Sequence, residues 1–271
     1  MTTSTYGAEP GVLAIAHRGG PSLGPENTAE AFERSIGLGL RYLETDVRTT
    51  SDGVCVAFHD RTLRRLTGRP GRLSDLSWAD VRGLRVDGVA AVPRLEDLLT
   101  AWPEVRWVID VKQTSALVPL VQVLRRTHAA ARICLSGPWE GWLEEAAASL
   151  GPDVSTAVGW SSLPRIVAGG RPGGRSARYL HLPLRLGEWR VPSARLVQRA
   201  HDQGLRALVW GVHGSLEMHQ LLDDGVDGII TDRPDVLRAV LVGRGAWRAP
   251  DARPPAAARP RTPVGYEASA G

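Results

Sequence analysis

Lysine, cysteine and long apolar runs are all scarce in this 271-residue chain. Lys112 is the only lysine, and all the other basic residues apart from histidine are arginines. The two cysteines, Cys55 and Cys134, each lie in an apolar, strand-like run, so we predict reduced core residues and exclude a disulfide framework. No apolar run approaches the roughly 20 residues that span a bilayer, which argues against stable membrane insertion.

Secretion and nucleic-acid binding are disfavoured by two further absences. Residues 1–10 contain no basic segment followed by an apolar stretch, so we expect no secretory signal and a cytoplasmic location. The net charge is +4 and the pI is near 9.6, yet the arginines are scattered among acids rather than clustered with aromatic residues. We therefore predict no nucleic-acid partner, and the oligomeric state is left open.

Strand-like and helix-like stretches alternate along the chain, which indicates an α/β fold. Eight strands alternating with helices predict a TIM (β/α)₈ barrel. A doubly wound open sheet is the alternative, but its Gly-rich phosphate turn is not matched after the first strand. The predicted strands are 12–16, 42–48, 107–112, 132–135, 154–158, 178–182, 207–210 and 228–231, and the predicted helices are 28–38, 117–127, 142–150, 193–203, 215–223 and 234–242.

The spacing of these elements is irregular in one place, because about sixty residues separate the second predicted strand from Trp107. We predict that residues 51–93, approximately, form an insertion at the top of a barrel domain that spans residues 10–243. Residues 246–271 are rich in proline, alanine and arginine and show no periodicity. This composition predicts a disordered tail.

Two of the predicted strands carry acids that share a face. Residues i and i+2 of a strand point to the same side, so Glu44 and Asp46 face together, and Asp110 and Lys112 face together on the next predicted barrel strand. Solvent-facing acids, or a buried ion pair between Asp110 and Lys112, would explain each pair alone. Buried acids need a neutralising cation, however, and carboxylates are ligands for Ca²⁺ or Mg²⁺. The three acids therefore predict a site for one divalent cation.

Two histidines flank the first of these acidic strands. His17 ends the first predicted strand, and His59 ends a short apolar run after the second. Imidazoles transfer protons near neutral pH, and Arg18 beside His17 is suited to binding a phosphate. Acid, base, metal ligands and phosphate-binding cations together predict metal-assisted phosphodiester cleavage. His181 and His213 follow or end later strands and are weaker candidates for substrate contact. Trp210 is predicted either to form an apolar wall of the substrate pocket or to pack in the core.

The chain resembles the glycerophosphodiester phosphodiesterases from about Leu13 to Leu241. No single motif is specific, but their order and spacing together are. The motifs that carry the resemblance are Ala16-His17-Arg18-Gly19, Pro25-Glu26-Asn27-Thr28, Glu44-Thr45-Asp46-Val47, Ser51-Asp52-Gly53, His59-Asp60, Arg65-Leu66-Thr67-Gly68, Pro93-Arg94-Leu95-Glu96, Asp110-Val111-Lys112 and Gly225-Val226-Asp227-Gly228-Ile229-Ile230-Thr231-Asp232.

The resemblance implies a TIM barrel with an insertion after the second strand. It implies that the chain hydrolyses glycerophosphodiesters to glycerol 3-phosphate and an alcohol. A phospholipase D-like enzyme acting on lysophospholipids is the alternative on the same barrel, and would use an exposed apolar rim. The implied roles are general acid and base for His17 and His59, one Ca²⁺ or Mg²⁺ ion on Glu44, Asp46 and Asp110, phosphate binding by Arg18 and Lys112, and a polar site contact for Asn27.

The chain departs from the family pattern at two places. The family most often has glutamate at the third metal position, where this chain has Asp110. After the strand that ends at Trp210, the family usually has an asparagine-bearing stretch, whereas this chain has Gly211-Val212-His213. A glycoside hydrolase would leave the two histidines and Lys112 without a role, and a non-catalytic phosphate-binding barrel would not need both histidines.

Overall fold

The computed structural model describes residues 5–171 and 176–248. Eight parallel strands form a sheet that closes on itself, because β1 pairs with both β2 and β13. The predicted TIM barrel is therefore confirmed. The strands are β1 (Leu13–Ala16), β2 (Tyr42–Thr49), β3 (Cys55–Ala57), β4 (Arg85–Val86), β5 (Ala90–Ala91), β6 (Arg106–Val111), β7 (Ile133–Ser136), β8 (Ser155–Ala157), β9 (Ala177–Pro183), β10 (Arg185–Leu186), β11 (Trp189–Arg190), β12 (Arg206–Trp210) and β13 (Gly228–Thr231), of which the barrel contains β1, β2, β6, β7, β8, β9, β12 and β13.

Most of the helices cover the outside of this barrel and bury their apolar faces on it. The side chains of Thr28 and Ser193 cap two of the helices by accepting hydrogen bonds from backbone N–H groups in the first turn. The helices are α1 (Ala29–Gly37), α2 (Arg64–Thr67), α3 (Trp78–Val81), α4 (Leu95–Ala101), α5 (Leu117–Arg126), α6 (Glu140–Leu150), α7 (Leu163–Val167), α8 (Ala194–His201), α9 (Ser215–Asp223) and α10 (Pro234–Gly243).

The barrel interior is apolar at its N-terminal end and polar at its C-terminal end. Ile15, Val108 and Leu208 belong to the apolar interior cluster. Tyr6 closes the N-terminal end of the barrel. Its ring contacts those of Tyr42 and Tyr179 edge-on, at centroid distances of 5.3 and 5.1 Å. His17 after β1 and the acids of β2 and β6 therefore lie at the opposite end, where TIM-barrel active sites lie.

The segment between β2 and α4 forms a small subdomain beside the polar end. Its strand β3 runs antiparallel to the end of β2, and the subdomain has its own apolar cluster, which includes Phe58, Leu66 and Leu73. The helices α2 and α3 and the β4–β5 hairpin complete it. This arrangement places His59, two residues after the end of β3, at the mouth of the barrel.

The structure adds elements that the sequence pattern did not indicate. The helix α4 lies in the long interval before β6, α7 follows β8, and the β10–β11 hairpin follows β9. Cys55 and Cys134 are buried and unpaired, as predicted. Residues 246–271 are the predicted disordered tail. Trp247 packs against the outer core, residues 249–271 lie outside the described residues, and disorder of the tail stays a prediction.

Candidate active site

The C-terminal ends of neighbouring strands bring the predicted acids together. The pairing of β2 with β6 places Asp46 beside Asp110 and Glu44 beside Val108. Glu44, Asp46 and Asp110 each offer a carboxylate oxygen, and these oxygens lie within 4.8 Å of one another. We call these three residues the acidic triad.

Burial of the acidic triad makes its charges costly. Glu44 and Asp46 are buried, and Asp110 is half-buried. Burial, and then the neighbouring charge of Asp46, raise the pKa of Glu44 to about 7. Burial also opposes ionisation of Asp46, but Lys112 and Arg18 outweigh it and lower the pKa of that carboxyl. Asp46 is therefore ionised despite its burial, and an ionised carboxylate can bind a cation.

The oxygens of the acidic triad fit a hard divalent cation in their chemistry. All three ligands are carboxylates, the donors that Ca²⁺ and Mg²⁺ prefer. Asp110 Oδ1 is buried and accepts no hydrogen bond from the part of the chain that the structure describes. A buried oxygen of this kind is a further indication that a cation belongs here.

Two positively charged side chains, those of Lys112 and Arg18, contact the acidic triad. Lys112 Nζ lies 2.5 Å from Asp110 Oδ2 and 2.9 Å from Asp46 Oδ1. Burial opposes its charge, but these two carboxylates prevail and raise the pKa of Lys112 well above its usual value. Arg18 Nε lies 3.1 Å from Asp46 Oδ2, and the backbone N–H of Arg18 donates to Glu44 Oε2 at 2.9 Å.

The backbone of Arg18 is held in a conformation that L-residues rarely adopt, with φ of +49°. It lies in the turn that directly follows β1. Its N–H donates to Glu44, so the unusual conformation directs the turn towards the acidic triad. Backbone strain of this kind is typical of functional sites.

His17 is held by a carboxylate that the sequence did not single out. Its Nδ1 lies 2.6 Å from Asp232 Oδ1, just after β13, and its Nε2 lies 3.8 Å from Glu44 Oε2. Burial opposes protonation, but Glu44 and Asp232 prevail and raise the pKa of His17. A carboxylate on one ring nitrogen fixes the orientation of the imidazole and leaves the other nitrogen directed at the site.

His59 has a matching arrangement on the subdomain side of the mouth. Its Nδ1 lies 2.7 Å from Asp60 Oδ1, and its backbone carbonyl accepts a hydrogen bond from Arg48 Nε at 2.8 Å. His17 and His59 therefore share one arrangement, in which a carboxylate contacts Nδ1 and Nε2 is the nitrogen available for proton transfer.

Asn27 lies behind the acidic triad rather than in the open mouth. Its Nδ2 donates to Asp46 Oδ2 at 2.8 Å, and its Oδ1 accepts from Thr45 Oγ1 at 2.8 Å. The residue is buried, with φ of +57°, a conformation that asparagine tolerates better than most residues. These contacts support a role in positioning Asp46.

Trp210 lines a cavity of about 310 Å³ at the rim of the barrel, together with His213 and Glu217. His213 Nε2 lies 3.8 Å from Asp232 Oδ2, so this cavity adjoins the carboxylate that holds His17. His181 shares its strand face with Tyr179 of the barrel interior, and burial lowers its pKa to about 4, which keeps it neutral.

Four residues near the site had no predicted role. Asp232 and Asp60 hold the histidines, and Glu26 and Arg65 connect Asp60 to Arg18. Each occurs in a motif of the family resemblance, and that was the one signal the sequence offered for them.

Comparisons with known proteins agree on one family. The family model described as "Glycerophosphoryl diester phosphodiesterase family" matches residues 17–126 and 112–236. The Mycobacterium tuberculosis protein named probable glycerophosphodiester phosphodiesterase 2 is 39% identical over 246 residues, which cover 88% of this chain and 93% of that protein.

Solved structures share the fold. A structure described as a putative glycerophosphoryl diester phosphodiesterase from Silicibacter pomeroyi matches with a TM-score of 0.74 and 26% identity, over 89% of this chain and 97% of the other. A phosphodiesterase from Oleispira antarctica, solved with the product sn-glycerol-3-phosphate, matches with a TM-score of 0.72 and 19% identity, over 86% and 97% of the two chains. Within residues 5–171 and 176–248, no helix is both long and apolar enough to span a membrane.

Proposed function

The chain belongs to the glycerophosphoryl diester phosphodiesterase family and hydrolyses glycerophosphodiesters to glycerol 3-phosphate and an alcohol, and we propose that His17 and His59 carry the proton transfers of this reaction. The observation that supports this assignment most strongly is the shared design of the two histidines, each bound through Nδ1 to its own carboxylate at 2.6 or 2.7 Å. A predicted cytoplasmic location and the absence of a nucleic-acid partner stay predictions.

The acidic triad is proposed to hold one divalent cation, Ca²⁺ or Mg²⁺. Such an ion supplies Lewis-acid stabilisation of charge on phosphoryl oxygens. Asp110 is one methylene shorter than the glutamate that is usual in the family, so its carboxylate extends less far from β6. Asn27 is proposed to keep Asp46 oriented, since both ends of its amide group are engaged.

The phosphodiester is proposed to bind between Arg18 and Lys112, which offset the charge that develops on its oxygens. One histidine removes a proton from the attacking oxygen, either of water or of the neighbouring glycerol hydroxyl, which would give a cyclic phosphate first. The other histidine protonates the oxygen of the departing alcohol. Trp210 is proposed to form an apolar wall for the substrate, beside the cavity that adjoins His17 through Asp232.

The proton-transfer proposal predicts the kinetics of two alanine variants. His17→Ala and His59→Ala should each lower kcat by roughly 10²–10⁴-fold, the range for losing a general acid or base. His219→Ala is the matched control, because His219 lies on α9 and contacts Arg244, outside the barrel mouth. Near-native turnover by either active-site variant, with glycerophosphoethanolamine as substrate, would remove its assigned role.

A second candidate substrate is a lysophospholipid. Two large aromatic side chains are exposed on segments that follow barrel strands: Trp139 after β7 is 56% exposed, and Trp189 after β9 is 81% exposed. Both segments start from the C-terminal ends of strands, where the mouth lies. Comparison of kcat/KM for glycerophosphocholine and lysophosphatidylcholine tests this candidate, and a preference for the water-soluble diester would exclude it as the principal substrate.

A further inference from the structure

Arg65 on α2 connects the two sides of the barrel mouth through an uninterrupted series of hydrogen bonds. Its Nε and Nη2 donate to Asp60 Oδ2 and Oδ1, both at 2.8 Å. Its Nη1 and Nη2 donate to Glu26 Oε2 and Oε1, again both at 2.8 Å. One guanidinium therefore binds two carboxylates, each through both of its oxygens.

Each of these carboxylates also holds a residue of the proposed active site. Asp60 Oδ1 contacts His59 Nδ1 at 2.7 Å as well as Arg65. Glu26 Oε1 accepts from Arg18 Nη1 at 3.1 Å as well as from Arg65. His59 belongs to the subdomain after β2, whereas Arg18 belongs to the turn after β1, so the series joins two separate segments of the chain.

We propose that Arg65 is a positioning residue that sets the place of the proton-transferring His59 relative to the phosphate-binding Arg18. This inference rests on the proposed function, which assigns those two residues their roles. Arg65 acts through Asp60 and Glu26 and does not itself touch the substrate.

The exposure of Arg65 favours positioning over stability as its main contribution. Its side chain is 48% exposed, and ion pairs at such sites contribute little to the free energy of unfolding. Geometry at a reacting centre is far more sensitive, since a displacement of about 1 Å can cost roughly 10²-fold in rate. A residue so placed should affect turnover much more than it affects folding.

The chain contains a matched control for this argument. Arg126 on α5 binds Glu96 on α4 through Nε and Nη2, both at 3.0 Å, and its side chain is 53% exposed. Arg126→Met thus removes a bidentate ion pair of similar exposure that contacts neither histidine and neither phosphate-binding cation. Its effect measures what a merely structural loss would do.

The test compares Arg65→Met and Arg126→Met by melting temperature and by kcat and KM on glycerophosphoethanolamine, with Ca²⁺ or Mg²⁺ supplied. We expect Arg65→Met to lower kcat about 10–100-fold, with a smaller change in KM, while its melting temperature matches that of Arg126→Met. Arg65→Lys keeps the charge but cannot bind both carboxylates through both oxygens, so it should stay at least about 10-fold below the native kcat.

A double-mutant cycle identifies the route of the effect. If Arg65 acts through Asp60, then Arg65→Met should lower kcat much less in an Asp60→Asn background than in the native chain. The proposal is overturned if Arg65→Met has the kinetics of Arg126→Met, or if its loss of activity equals its loss of folded protein. If Arg65→Met does not fold, Arg65→Lys provides the same comparison.

The outcomes also separate this inference from the proposed function. Full activity of His59→Ala would overturn the proposed function, whatever Arg65→Met does. An inactive His59→Ala together with a fully active Arg65→Met would overturn the positioning role alone.

Discussion

Replacement of Lys112 by methionine removes a cation that contacts two members of the acidic triad. The Lys112 ammonium lies 2.5 Å from Asp110 and 2.9 Å from Asp46, and the side chain is 19% exposed. Methionine has a similar length and no charge. The change therefore isolates the electrostatic contribution of the ammonium in a site where burial already opposes the ionisation of Glu44 and Asp46.

The expected loss of stability in metal-free protein is large. Removal of one partner from a buried ion pair typically costs about 3–5 kcal/mol. For a domain of this size, that free energy corresponds to a melting temperature lower by roughly 6–20 °C.

The pH dependence of this loss has a defined sign. Lys112 lowers the pKa of Asp46 in the folded protein, so the associated stability is present above the unfolded pKa near 4 and is lost as the pH falls through the folded pKa. The difference between native and Lys112→Met protein should therefore be full at pH 7 and shrink below about pH 4.

A divalent cation should reverse part of the stability loss, because it replaces the missing positive charge beside the same carboxylates. Melting temperature is measured in chelator and with Ca²⁺ added, and kcat/KM is measured on the same preparation. If Lys112 also binds the phosphate, kcat/KM per folded molecule should fall in the metal-loaded variant. Lys112→Arg should show a smaller but measurable fall, because the fork of arginine changes length and geometry.

Arg94→Met is the control for loss of an ordinary surface ion pair, since Arg94 pairs with the exposed Asp97 on α4. Arg94 also lies over the Trp78 ring, 5.8 Å from its centroid, so the change should lower the free energy of unfolding by about 1 kcal/mol at most. A Lys112→Met variant with unchanged melting temperature in chelator and native kinetics would refute the electrostatic reasoning. A loss of stability with unchanged kinetics per folded molecule would limit Lys112 to a structural role.

Two further predictions concern the ion and the contact between His17 and Asp232. The pKa of Glu44 is raised to about 7, so an ion that binds below that pH must displace its proton, and calorimetry should show the affinity for Ca²⁺ falling on the order of 10-fold between pH 7.5 and 5.5. An affinity that does not vary over that range would contradict the coupling of Glu44 to the ion. Asp232→Asn keeps the shape of the side chain but removes the negative charge that contacts His17 Nδ1. The variant should lower kcat on the order of 10²-fold, with a melting temperature close to native. Native turnover in steady-state kinetics would exclude an orienting role for Asp232.

The sequence was sufficient for the barrel and for the residues that strand periodicity aligns. Glu44 and Asp46 share a face because a strand has a period of two, and pairing of β2 with β6 then brings Asp110 beside them. The helix α4 was missed because its interval was interpreted as part of one long irregular spacing. The barrel could be predicted without this helix, because the prediction rested on the alternation of strands and helices along the rest of the chain.

The contacts that complete the site depend on distances that periodicity does not encode. Asp232 meets His17 across 215 positions of the chain, because β13 closes the barrel against β1. Arg65 meets Glu26 across 39 positions, because the subdomain folds back over the mouth. The position of Asn27 behind Asp46 follows from a left-handed backbone conformation, which the residue types alone do not establish.

Phosphorus NMR of a single reaction tests whether the chain cleaves a glycerophosphodiester with the aid of an ion held by Glu44, Asp46 and Asp110. Glycerophosphoethanolamine is incubated with chelator-treated protein, and Ca²⁺ or Mg²⁺ is then added in excess. If the ion is required, the diester resonance persists until the ion is added and is then replaced by that of glycerol 3-phosphate. Conversion at an undiminished rate in chelator, by protein shown to contain no metal, would contradict it.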